Sequence, residues 1–177
     1  NYNPRHSHEV HVGNRPLGGD NPLRIQSMTT AATTDTEACV RQCVAIFDAG
    51  ADYVRLTTQG SREAENLRNI KDELRRLGYD RPLVADVHFN PAVADLDATI
   101  VEKVRINPGN YVDPARQFKH LEYTDEEYAA ELLRLEERLT KLLDICREHH
   151  TALRIGVNHG SLSDRIMCRY GDTPEGI

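Results

Sequence analysis

Branched apolar residues recur along this chain in short runs with a polar residue at the centre. Four runs bracket an arginine: Leu23-Arg24-Ile25, Val54-Arg55-Leu56, Val104-Arg105-Ile106 and Leu153-Arg154-Ile155. A fifth, Leu83-Val84-Ala85-Asp86-Val87-His88, carries an aspartate and a histidine instead. Runs of this kind read as buried strands. They predict strands over Leu23–Met28, Tyr53–Thr57, Leu83–His88, Lys103–Asn107 and Ala152–Val157. Between them the pattern turns helical. Thr34-Asp35-Thr36-Glu37 reads as a capping box opening a helix over 35–49 that stops at Gly50. Ser61 reads as the cap of a helix running to about Leu77, before Gly78. Asn90 followed by Pro91 opens a short helix to about Thr99. A second capping box, Thr124-Asp125-Glu126-Glu127, opens a long helix whose apolar stripe is Tyr128, Leu132, Leu135, Leu139, Leu142 and Cys146. Those spacings alternate four and three, one continuous face. Ahead of the first strand, Val10, Val12, Gly13-Asn14 and Leu17 predict a short hairpin. After the last, Ser163–Tyr170 reads as helical, interrupted by Gly171-Asp172.

The order is β-α repeated, with strand starts near 23, 53, 83, 103 and 152. The first three intervals, about 30, 30 and 20 residues, fit right-handed β-α-β units. The last is lengthened by an insertion over Tyr111–Tyr123. Five units are too few for a closed eight-unit barrel of ~250 residues. The expected fold is therefore α/β with parallel strands: an open five-stranded domain, or about five-eighths of a TIM barrel preceded by the hairpin. Residues 1–177 are expected to form one domain.

The phases of the polar residues turn this architecture toward chemistry. Side chains two apart on a strand share a face. Arg55 thus lies with Thr57, Asp86 with His88, Arg105 with Asn107, and Arg154 with Gly156 and Asn158, each pair near the C-terminal end of its strand. Ligand sites of parallel α/β sheets and barrels lie at that end. An arginine in a strand is costly to bury unless an anion or a core carboxylate meets it. One such arginine reads as the partner of a core carboxylate. Three in matching phase favour an anionic ligand held by forked, charge-assisted hydrogen bonds. Arg24, early in its strand, reads as a structural pair at the opposite end. Asp86 and His88 could orient hydroxyls, exchange a proton or hold a metal, although no third ligand accompanies them. The junctions Arg105–Asn110 and Arg154–Ser161 are rich in Asn and Gly, which suits close backbone approach to an anion as well as ordinary turns.

Bulk properties narrow the ligand. The chain has 177 residues, 39% hydrophobic and 28% charged, with net charge −6 and a pI near 5.7. An acidic chain argues against a nucleic-acid groove, so the strand arginines are local features. No apolar stretch approaches the ~20 residues of a membrane span, and no secretory leader opens the sequence, which begins at Asn1. Cys39, Cys43, Cys146 and Cys168 fit no zinc or cluster spacing; Cys39 and Cys43, four apart on a helix, share a face and read as small core residues. His6, His8, His11, His149 and His150 read as surface residues.

Several longer motifs carry a resemblance: Gln26–Thr29, Thr34–Glu37, Gly50–Arg55, Pro82–Phe89, Val104–Asn110 and Arg154–Asn158. From about Val10 to Ile177 the chain resembles the (E)-4-hydroxy-3-methylbut-2-enyl diphosphate synthase family, the iron–sulfur enzymes of the methylerythritol phosphate route to isoprenoids. Asn158–Met167 and Gln117–Glu126 resemble the long, three-domain branch of plants and some bacteria. The resemblance implies a TIM-barrel domain that binds 2-C-methyl-D-erythritol 2,4-cyclodiphosphate. It also implies a [4Fe–4S] cluster in a separate C-terminal domain, reductive ring opening and dehydration, and reduced flavodoxin or ferredoxin as electron donor. A homo-oligomer is implied, with no nucleic acid or membrane as partner, in the bacterial cytoplasm or, for a plant protein, the plastid stroma. By motif position Arg55, Arg105 and Arg154 would hold the diphosphate, and Asp86, His88, Asn107 and Asn158 would line the same mouth. The chain is then expected to be the N-terminal part of the barrel, without a cluster of its own and inactive alone. Two readings stand beside it: a phosphometabolite-binding domain without catalysis, and an unrelated phosphate-handling barrel enzyme using Asp86 and His88 as acid and base.

Overall fold

The computed structural model describes residues 5–88, 90–112, 122–171 and 173–176. Five strands alternate with helices: β1 (Gln26–Met28), α1 (Thr36–Asp48), β2 (Tyr53–Thr58), α2 (Ser61–Arg76), β3 (Leu83–Val87), α3 (Pro91–Ala98), β4 (Lys103–Ile106), α4 (Asp125–Glu148), β5 (Ala152–Ile155) and α5 (Asp164–Tyr170). Every pairing is parallel, and the spatial order β1-β2-β3-β4-β5 follows the chain. This is the layout of consecutive barrel units, an open arc rather than a closed cylinder. Of the insertion before α4, residues 113–121 lie outside the described residues, as does part of the Gln117–Glu126 motif.

Alternation within the strands assigns the two faces. Val54, Leu56, Leu83, Ala85, Val87, Val104 and Ile106 turn outward and are buried under the helices. Cys39, Cys43 and Phe47 of α1, Leu67, Ile70 and Leu74 of α2, Val93 and Ala94 of α3, and Leu142 and Cys146 of α4 complete that layer. The inner face closes only at its floor, where Tyr53, Val84 and Ala152 pack against Val12. Val12 arrives on the predicted hairpin, present as a single antiparallel bridge between Val10 and Leu17. The Tyr53 hydroxyl donates to the Arg15 carbonyl and ties hairpin to sheet.

Several boundaries differ from the sequence expectation, each for a local reason. The first strand keeps three residues, because among the described residues only β2 flanks it; Leu23 is 98% and Ile25 64% exposed. β5 ends at Ile155, although Gly156 N–H still reaches the Ile106 carbonyl at 2.8 Å, before Asn158 turns the chain into the 3-10 turn His159–Ser161. The cap of α1 is Asp35, not Thr34: its carboxylate accepts from Ala38 N–H at 3.0 Å, placing Glu37 one position short of a capping box. α2 is capped at Gly60, whose N–H donates to Glu63 at 2.9 Å, so Ser61 is the first helical residue. Thr124 and Glu127 do form the reciprocal box of α4. The stripe of α4 is not buried throughout. Leu142 and Cys146 reach the core, Leu132 stays exposed, and Tyr128 is enclosed by Arg165 and Arg169 rather than by the sheet.

Candidate functional site

Asp86 is the hub of the inner face. It comes from near the C-terminal end of the central strand and is 4% exposed. Arg105 Nη1 donates to Asp86 Oδ1 at 2.9 Å. Arg55 Nε stands 3.4 Å from Asp86 Oδ2, and His88 Nε2 lies 3.6 Å from the same oxygen. Strand phase brings these four together as the sequence predicted. It also answers the burial cost: Asp86 is the core carboxylate that meets two arginines. Two guanidiniums over one carboxylate still leave one positive charge in excess, in a half-buried setting where screening is weak. Arg55 Nε is buried and makes no hydrogen bond, only the ion pair, while Arg55 Nη2 points to the Met28 sulfur at 3.2 Å.

Above this hub the loops after β4 and β5 are hydrogen-bonded to each other. Asn107 Nδ2 donates to Ser161 Oγ at 2.6 Å, and Ser161 Oγ donates to the Asn158 carbonyl at 3.1 Å. Asn107 Oδ1 accepts from Gly109 N–H and Asn158 Oδ1 from Gly160 N–H, each at 3.1 Å. The loops approach so closely that a Cβ on Gly109 would overlap the Ser161 carbonyl. Between them lies a cavity of about 170 Å3 lined by Val87, His88, Arg105, Asn107, Asn110, Asn158 and Ser161. It opens at the C-terminal ends of the strands.

Arg154 is not in that group. It is exposed and lines a second cavity of about 400 Å3 with Arg24, Tyr53 and Lys103, on the floor side of the inner face. Burial first, and then the Arg154 charge, hold the Lys103 ammonium below its usual range. Arg24 is a structural pair, as expected: Nε donates to the Pro16 carbonyl at 2.7 Å and Nη1 lies 3.4 Å from Asp52. Sequence reasoning passed over Lys103, which two-residue phase from Arg105 would have found, and Asn110 and Ser161, whose signal was the Asn/Gly-rich junctions themselves.

Among the described residues no group of three or more His, Cys, Asp and Glu could hold a metal, and no helix is long and apolar enough to cross a membrane. Cys39, Cys43 and Cys146 are buried in the helix layer, where burial pushes their thiols up, Cys43 to about 12. Such thiols do not fit an iron–sulfur cluster, which needs accessible thiolates.

The fold and this mouth define an α/β-barrel domain that gathers arginine side chains at the C-terminal ends of its strands. Residues 7–177 match the GcpE TIM-barrel domain, and the chain belongs to that family. It is 68% identical over 177 residues to the 4-hydroxy-3-methylbut-2-en-1-yl diphosphate synthase (flavodoxin) of Phocaeicola vulgatus, covering 100% of this chain and 29% of that one. It is 49% identical over 173 residues to the chloroplastic, ferredoxin-type 4-hydroxy-3-methylbut-2-en-1-yl diphosphate synthase of Oryza sativa subsp. japonica, covering 98% and 23%. The chain thus spans less than a third of the length of these relatives. Among solved structures, a dihydropteroate synthase from Burkholderia cenocepacia superposes with a TM-score of 0.48 at 15% identity, covering 96% of this chain and 72% of that one.

Proposed function

We propose that this chain is the anion-binding part of the barrel of a 4-hydroxy-3-methylbut-2-en-1-yl diphosphate synthase, an oxidoreductase of isoprenoid biosynthesis. Its substrate in this reading is 2-C-methyl-D-erythritol 2,4-cyclodiphosphate, which the whole enzyme opens reductively and dehydrates. The observation that carries the reading is the surplus positive charge of Arg55 and Arg105 over Asp86, at a cavity mouth shared with His88, Asn107 and Asn158. Forked guanidinium donors suit phosphate oxygens, and the amides and imidazole suit the remaining oxygens and hydroxyls. Asp86 orients the two guanidiniums. Arg154 belongs to the set through its shared strand face, and joining the mouth requires it to swing away from the Lys103 cavity. A [4Fe–4S] cluster would supply the electrons for ring opening, delivered from flavodoxin or ferredoxin as the relatives' names state for those proteins. The described residues do not fit it, so the chemistry assigned to this chain stops at binding and orienting the diphosphate. The protein is proposed to act as a homo-oligomer in the bacterial cytoplasm, or in the plastid if plant-derived.

The test is calorimetric titration of the cyclic diphosphate into the full-length protein and its Arg55→Ala and Arg105→Ala variants. A charge-assisted hydrogen bond contributes ~1.5–3 kcal/mol, so each variant should bind ~10- to 100-fold more weakly. Unchanged affinity in both would overturn the assignment.

A further inference from the structure

Gly156 stands at the end of β5, directly beneath the Arg105 side chain. Its backbone is held from two sides. Its N–H donates to the Ile106 carbonyl at 2.8 Å, and its carbonyl accepts from Arg105 Nη2 at 2.8 Å. It is not among the glycines with positive φ, so its conformation would admit an alanine. Space is what would not admit it. A Cβ built here would overlap Arg105 Nε and stand 3.1 Å from both Cγ and Cζ. The missing side chain of Gly156 is therefore the volume that the Arg105 guanidinium occupies. With the Gly156 backbone pinned by sheet pairing, the arginine is the partner that must move.

We infer that Gly156 is a positioning residue for Arg105: it leaves open the seat that receives the Nε/Nη2 edge of the guanidinium, and so fixes how Nη1 is turned toward Asp86. The planar group reaches Asp86 Oδ1 through Nη1 and the Gly156 carbonyl through Nη2 at once. That double anchorage holds the fork in one orientation before any anion arrives, and preorganised donors bind more tightly than mobile ones. A methyl group at 156 would lift the guanidinium from its seat, break at least one anchor and misdirect the fork. The strand itself keeps its pairing. This inference rests on the diphosphate reading of the mouth for its functional consequence, but the seating of Arg105 does not.

The experiment is a double-mutant cycle in the full-length protein, with inorganic pyrophosphate and the cyclic diphosphate as probes. Gly156→Ala should weaken binding ~10-fold or more, the loss of one well-placed charge-assisted hydrogen bond. In an Arg105→Ala background, where no side chain reaches beyond Cβ, the same substitution should change affinity less than ~2-fold, because coupled residues are not additive. Equal losses in both backgrounds would mean that Gly156 does not act through Arg105, and the inference would fall. Thermal unfolding separates misfolding from misplacement, since Gly156→Ala should melt close to the parent. Loss of the cooperative transition would itself show that the arginine does not yield, against the inference. If Arg105→Ala leaves binding of both probes unchanged, the diphosphate reading fails instead. The Arg105 Nε–H resonance then decides the seating alone: it should shift in Gly156→Ala, and an unmoved resonance would refute it.

Discussion

Asp97 is fully buried in α3, behind the sheet rather than in the mouth. Its Oδ2 accepts from the Thr58 hydroxyl at 2.5 Å, while Oδ1 has no hydrogen-bond partner. Burial pushes this carboxyl up to about 7, against the Thr58 hydrogen bond and with the nearby Glu63 charge adding to the rise. The folded value lies above the unfolded one, ~3.9. Stability tied to the proton is therefore fully present below pH ~4 and is lost as the pH rises toward 7. The slope is at most ~1.4 kcal/mol per pH unit in that window. Asp97→Asn fixes the neutral form. Urea denaturation at pH 5, 6, 7 and 8 should show a flatter profile for the variant and greater stability than the parent at pH 8. Parallel profiles would mean that Asp97 is not the titrating group. The four cysteines divide similarly: Cys39, Cys43 and Cys146 are buried, with thiols raised by burial, and Cys168 is exposed. A thiol reagent should label one cysteine quickly in the native protein and all four in denaturant. Side-chain phase was readable in the sequence at this scale, because it needs only a period of two; Asp86, His88 and Arg105 meet as that period demands. Neither Asp97 nor the Arg154–Lys103 cavity was readable. Burial depth and side-chain direction come from packing across elements, which one strand's alternation does not contain.

At the scale of elements, the chain's punctuation was legible where two signals agreed. Asn90 with Pro91 opens α3, the Thr124–Glu127 box opens α4, and Gly50 and Gly78, at φ 100° and 89°, follow the ends of α1 and α2. It was misread where two neighbours competed for one role, as Thr34 and Asp35 did at the start of α1. Strand length was misread at both edges, since an edge strand extends only as far as its single partner allows. The stripe of α4 is one continuous face in the sequence, but burial along it is uneven. Its C-terminal half docks on the sheet through Leu142 and Cys146, and Arg138 and Lys141 clasp Asp95 of α3 at 2.9 and 3.0 Å. Leu133, in the N-terminal half, is 61% exposed. Leu142→Ala should therefore cost ~2–5 kcal/mol of stability, whereas Leu133→Ala should stay within ~0.5 kcal/mol. Chemical denaturation of the two variants checks this, and comparable losses would mean that α4 packs along its whole length.

On the scale of the whole molecule, repeated β-α order was enough to read a parallel arc whose spatial order follows the chain. What closes the arc was not readable, because that depends on what meets its two edges. Among the described residues β1 has a neighbour only in β2, and β5 only in β4. Each edge strand leaves one row of N–H and C=O groups available for pairing. Apolar side chains accompany them: Leu23 and Ile25 lead into β1, and Ile155 and Val157 stand 51% and 41% exposed at and just beyond the end of β5. Covering a few hundred Å2 of apolar surface at ~25 cal/mol per Å2 would favour association by several kcal/mol before its entropic cost. The 177-residue chain expressed by itself should therefore sediment as a dimer or larger at micromolar concentration. Charge placed on both edges, as in a Leu23→Lys/Ile155→Lys variant, should shift it toward monomer, because a buried ammonium without a partner opposes pairing. The surface responsible can be located by amide exchange: Met28 and Ile155, whose N–H groups face away from β2 and β4, should be protected in the assembled parent and exchange rapidly in the charged variant. A parent chain that remains monomeric, with its edge amides exchanging freely, would show that the arc tolerates its open sides and that its edges do not drive association.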